Sequence, residues 1–118
     1  MKTVKFTVPE DFAGPEWAGD YEAREISALE YLDIAEKLSR EAEEKGLEFD
    51  ALPKGAFNLE LIKTCVRKDE KPLNVDLGSM PAKIYELLTD VAMKLNTLLP
   101  KEKQRIFLQS SKEGPVSR

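Results

Sequence analysis

A chain of 118 residues at net charge −4, with no histidine and a single cysteine, excludes the usual zinc sets, an internal disulfide and a Cys-His nucleophile pair. Its 42% hydrophobic and 34% charged residues are the composition of one soluble domain, able to bury about two-thirds of its surface without metal or crosslink. No apolar run approaches the roughly 20 residues of a membrane span and no secretory leader is visible. The acidic balance speaks against general nucleic-acid binding, so a cytoplasmic protein with neither a membrane nor a nucleic-acid partner is expected.

The elements can be read in chain order. "TVKFTV", residues 3–8, alternates with period two and predicts a half-buried strand with Val4, Phe6 and Val8 on one face, ended by Pro9. Residues 9–20 hold two prolines and two glycines and predict a loop, which Phe12 and Trp17 fold down onto the body. "YEAREI", residues 21–26, alternates again and can pair with the first strand. Ser27 and Glu30 form the Ser-x-x-Glu pattern of a capping box, predicting a helix over 28–45 that Gly46 stops. Its expected inner stripe is Leu29, Leu32, Ala35, Leu38 and Ala42. Asp33–Lys37, Glu36–Arg40 and Glu41–Lys45 are expected pairs on the outer side.

Residues 47–56 read as a loop with inward apolar residues. Asn58 is placed to cap a helix over 59–68 that turns Leu59, Ile62, Cys65 and Val66 inward. "RKDEKPLNVDLG", residues 67–78, is a charged, turn-rich connection with no assigned element. Next comes the most regular pattern in the chain. Met80, Ile84, Leu88, Val91, Leu95 and Leu98 recur at helical spacing, with Leu87, Ala92 and Leu99 widening the stripe. A helix over 80–99 results, entered through Gly78, Ser79 and Pro81 and broken at Pro100. Residues 101–109 predict a short last helix using Ile106 and Phe107, and 110–118 a disordered tail. The whole is an α+β, mainly α fold: a short N-terminal strand or hairpin, then three to four helices around one core, in one domain over 1–109.

Sites for chemistry are poor. "GAFNLE" and "DLGSMP" lack the glycine series of a phosphate loop. Ser27 and Ser79 are explained as caps, Cys65 as a small buried hydrophobe and Trp17 as core or lid. No catalytic, metal or cofactor residue is expected, and hence no enzyme. Binding is the better prospect. The helices over 28–45 and 59–68 are too slight to cover the whole band on 80–99, unless Phe12, Trp17, Phe49 and Leu52 close over it. The uncovered part, with Ile84, Tyr85, Leu88, Val91, Leu95, Leu98 and Phe107 as contact residues, would take another protein, a helical one, or a second copy of the chain. Charge is also uneven: residues 9–50 hold fourteen acids against four bases, and residues 101–118 five bases against two acids. Those halves attract within or between molecules. The alternative reading is a small acidic regulatory or inhibitory, antitoxin-like protein that blocks a basic partner.

Three short motifs carry a family resemblance. They are Arg24-Glu25-Ile26 leading into the first helix, Leu77, Pro81, Ile84, Tyr85 and Leu88 at the start of the main helix, and Leu95, Asn96 and Leu98 near its end. In that order, after an N-terminal strand, they resemble tail assembly chaperones of tailed phages and proviruses over roughly residues 4–110. The resemblance implies a small, acidic, mainly helical protein with no catalytic residues. Such a protein binds the tape-measure protein, a long helical rod, and keeps it soluble while the tail tube polymerises.

Overall fold

The computed structural model describes residues 1–48, 52, 55–98 and 100–113. Along the chain run β1 (Thr3–Val8), the single turn α1 (Glu10–Ala13), β2 (Gly19–Arg24), α2 (Ala28–Glu44), α3 (Ala56–Cys65), β3 (Val66–Lys68), β4 (Lys71–Pro72), α4 (Ala82–Asn96) and α5 (Pro100–Glu113). The fold is α+β and mainly α. Its antiparallel sheet has the order β1-β2-β3-β4. α4 packs on β2, α3 on α4 and β3, and α2 on α3.

Alternation in β1 and β2 puts Phe6 and Val8 opposite Tyr21 and Gly19, and Ala23 opposite Val66 of β3. Val8, Tyr21, Ala23 and Val66 are buried, and the Phe6 and Tyr21 rings stack at 5.4 Å. The Tyr21 hydroxyl donates 2.7 Å to the Trp17 carbonyl, pinning the loop before β2. As expected, Phe12 and Trp17 pack against the core. On the other face of the sheet Lys5, Glu22 and Arg67 form a charged row.

The β3–β4 hairpin occupies the connection left unassigned from sequence, and the helix expected over 59–68 is shifted to 56–65. Val66 turns extended (φ −111°, ψ 135°) because residues 66–68 complete β2's open edge. Asn58 is therefore no cap: it lies inside α3, whose N-cap is Gly55. The two turn residues, Asp69 and Glu70, have φ of 50° and 67°. Left-handed conformation at both positions suits the twist of a two-residue hairpin, though it is unfavourable without glycine. Asp69 is held by exchange with Asp20: its amide donates to the Asp20 carbonyl at 2.7 Å and its carboxylate accepts the Asp20 amide at 3.0 Å. That close approach needs Gly19. A Cβ there would stand 2.9 Å from the Asp69 carboxylate, on a backbone with φ +146°.

α2 starts and stops where its sequence signals place it. Ser27 Oγ accepts the Glu30 amide, and the Glu30 carboxylate accepts the Ser27 amide. At the far end Gly46 takes φ 66°, with Gly46 and Leu47 amides donating back to the Glu43 and Ala42 carbonyls, the paired bonds of a Schellman stop. Its inner stripe differs from the expected one. Ile34, Leu38 and Ala42 are buried, whereas Leu29 and Leu32 are 69% and 62% exposed. The reason is rotational: Arg24 at the end of β2 grips Glu30 with two bonds of 3.1 and 2.7 Å. Glu30 is thereby drawn to the side of the helix where Ile34 and Leu38 follow at steps of four, and Leu29 and Leu32 are carried outward. Lys37 pairs with Glu60 of α3 at 2.6 Å rather than with Asp33, while Lys45 pairs with Glu41 as expected.

The C-terminal helix also departs from expectation. Pro100 opens α5, which runs on through Glu113; the boundary expected at residue 110 lies inside it, and 114–118 fall outside the described residues. Ile106 and Phe107, the apolar residues expected in this helix, are 46% and 60% exposed.

Candidate protein-contact surfaces

α4 decides how much of the long apolar band is free. Met80, Ile84, Leu88 and Ala92 are buried, and Ile84 and Leu88 are wholly inaccessible. These two expected contact residues offer no surface to a partner: they pack into the core that the sheet and α3 close over α4. Tyr85, Val91 and Leu95 are half-buried, and Leu98 and Phe107 are exposed. The expected strip is thus divided between the core, the flanks of α4 and α5. Of the loop residues weighed as a cover, Phe12 and Trp17 are half-buried and Leu52 is buried; Phe49, like Leu99 of the stripe, lies outside the described residues.

The residues that carry the family resemblance turn out to be joints of the fold. Asn96 bridges the segment between β2 and α2: its Oδ1 accepts the Ile26 amide at 2.7 Å, and its Nδ2 donates to the Arg24 carbonyl at 3.2 Å. A side-chain amide placed this way satisfies a donor and an acceptor that leave the sheet, 70 residues away in sequence. Arg24 reaches across from β2 to Glu30 and to the Thr64 carbonyl at the end of α3. The Arg24 hydrogen bond, with the Ser27 amide after it, holds the Glu30 carboxyl down at about 2. Tyr85 accepts from Asn58 at 3.1 Å. With Leu77 it packs so closely on Gly55 that a Cβ there would lie 3.2 Å from the Tyr85 oxygen.

What stays open is the flank of α4. Phe12 and Leu87 stand between two shallow grooves and line both. One groove lies between β1 and α4, with Val4, Phe6, Val8 and Val91 as further walls, and is almost wholly apolar. The other runs along α4 past Tyr85, Thr89 and Met93. Thr89 Oγ1 is buried there without a hydrogen-bond partner among the described residues. Lys83 lies 5.7 Å from the centroid of the Phe12 ring and fixes α1 against the helix. Of these residues sequence reading singled out Tyr85 and Val91. Leu87 was visible only as a widening of the stripe, and Phe12 only as a loop anchor.

Charged groups with chemical potential are few. Burial pushes the Cys65 thiol up to about 11, against the opposing charge of Arg24, so at neutral pH it is a protonated core side chain. Burial, then the charge of Asp69, pushes the Tyr21 phenol up to about 12. Among the described residues no cluster of three or more His, Cys, Asp or Glu side chains is placed to hold a metal ion. No helix among them is long and apolar enough to cross a membrane. Comparison with family models, curated proteins and solved structures finds no match to the chain.

Proposed function

We propose that the protein is a non-enzymatic, cytoplasmic assembly chaperone that binds a helical partner, its client being the tape-measure protein of a phage or provirus tail. The observation that supports this reading is the flank of α4. Around Leu87 and Phe12 the fold leaves two adjoining grooves, one of them almost wholly apolar, on a helix whose opposite side is fully used by the core. An amphipathic helix laid against such a flank hides its own apolar face there without disturbing the core. The three sequence motifs add family resemblance, and the client is named on that resemblance alone.

Co-expression tests the reading. A tape-measure protein should be recovered soluble and bound to the wild-type chain, in a complex that persists at moderate salt because its contacts are mainly apolar. Leu87→Lys, on a half-buried position, should keep the native circular dichroism and lose the client. A client equally soluble with or without the chain, or a complex that Leu87→Lys leaves intact, overturns the proposal. A complex that dissolves at moderate salt points instead to the acidic, inhibitor-like reading.

A further inference from the structure

We infer that α5 of one copy of this chain docks antiparallel on the outer face of α2 of a second copy, and that two such contacts close a dimer. The contact shares no residue with the grooves on α4 and stands whether or not those grooves bind a client.

Both helices carry apolar side chains that their own molecule leaves bare. On α2 these are Leu29 and Leu32, three apart and therefore on one side of the helix. On α5 they are Ile106, Phe107 and Leu108, 46%, 60% and 57% exposed. All described side chains from Lys103 to Leu108 are exposed. Single exposed leucines need no explanation, but two clusters on helices of opposite charge do.

The order of the chemistry along the two helices sets their direction. α2 begins with its leucines and continues on the same outer side to Asp33 and Glu36. α5 begins with Lys101 and Arg105, four apart, and continues on the same side to Leu108. Laid antiparallel, Leu29 and Leu32 meet Leu108 while Asp33 and Glu36 meet Arg105 and Lys101. The separations match: seven residues from Leu29 to Glu36 and seven from Leu108 to Lys101 are each about 10 Å of helix at 1.5 Å per residue. Among the described residues none of Asp33, Glu36, Lys101 and Arg105 takes part in an ion pair.

The chain's own α5 cannot make this contact. Asn96 is bonded to the Ile26 amide, which puts the end of α4 beside the start of α2. α5 starts four residues after Asn96, at the leucine end of α2. Folded back along its own α2 it would run parallel, setting Lys101 against the leucines and Leu108 against Glu36. Only a second copy supplies the antiparallel partner. A two-fold axis then satisfies both α5 helices at once, each on the other's α2.

Paired charge reversals test the inference on the full chain. Wild type should sediment as a concentration-dependent dimer. Asp33→Lys with Glu36→Lys, and separately Lys101→Glu with Arg105→Glu, should each halve the mass to that of a monomer with unchanged circular dichroism, since all four positions are exposed. Mixing the two monomeric variants should restore the dimer mass, because each α2 again faces an α5 of opposite charge. A wild type that is monomeric at every concentration, variants that stay dimeric, or a mixture that stays monomeric overturns it.

Discussion

α4 and α5 are helices of nearly equal length, 15 and 14 residues, and the fold treats them oppositely. α4 is held on three sides, by β2, α3 and the single turn α1. Each cover takes a particular row: Ile84, Leu88 and Ala92 face inward, while the flank bearing Leu87 stays partly accessible. α5 leaves the body after Thr97, whose side chain and amide both close back on the Met93 carbonyl and end α4. Its first charges crowd into residues 101–105 and its apolar residues into 106–108, so neither side of it resembles a core stripe. The difference teaches that regular spacing at steps of three and four marks the helix that builds a core. An apolar cluster crowded into consecutive positions, as at Ile106, Phe107 and Leu108, marks a surface that a single neighbour within the same chain does not absorb.

Substitutions that delete apolar volume break the comparison most sharply. Leu88→Ala should lower unfolding free energy by ~2–5 kcal/mol, the range for a large core side chain cut to alanine. Phe107→Ala in α5 should change the stability of the monomer by no more than ~0.5 kcal/mol. Denaturant melts of the two variants at a dilution where the wild type is monomeric would check the contrast; similar losses at both sites would abolish it.

The next effect concerns how α4 is anchored while α5 is released. Asn96→Ala leaves the Ile26 amide and the Arg24 carbonyl without their partner and should cost ~1–3 kcal/mol. Asn96→Asp should recover only part of that, since it retains the acceptor for Ile26 but loses the donor to Arg24. Ser27→Ala removes the cap on the neighbouring helix and should cost ~0.5–2 kcal/mol. Client binding by the folded variant should be untouched. Lost binding at full stability would contradict the capping role.

Acid provides the smallest effect. The Glu30 carboxyl is lowered from its ordinary 4.5 to about 2, chiefly by Arg24. A depressed folded value contributes stability above the unfolded one, and that contribution fades as pH falls from about 4.5 through about 2. Glu30→Gln should therefore be less stable than wild type at neutral pH, and the two should converge in acid. The gap is modest because the ion pair is one-third exposed. Urea midpoints measured across that range would check it; a gap that widens in acid would contradict the assignment.

How much of this was legible in the sequence depends on whether an element is specified locally. Ser27, Glu30 and Gly46 act on groups within one turn, and α2 lies within a residue of its expected bounds. β1 and β2 follow from alternation and a short connection. β3 was hidden because three residues after a helix have no periodicity of their own: Val66–Lys68 are a strand only because β2 has an unpaired edge. The turn at Asp69 and Glu70 was hidden because it uses left-handed residues without glycine. The outward turn of Leu29 and Leu32 depends on the grip of Arg24 on Glu30, a contact between elements that sequence spacing does not weigh. The contact surfaces follow the same rule. Helical spacing identified the band on α4, but its division into core row and open flank required the positions of the sheet, α3 and Phe12.

Hydrogen exchange resolved along the chain tests the central claim, a closed α4 and an open α5, most directly. Amides of α4 from Leu88 to Asn96 should be slow to exchange at every protein concentration, since their side of the helix is sealed within the chain. Amides of α5 from Gln104 to Leu108 should exchange fast at high dilution and slow progressively as concentration rises and a second copy covers them. α5 amides as protected as those of α4 at the highest dilution, or unprotected at every concentration, would contradict the account.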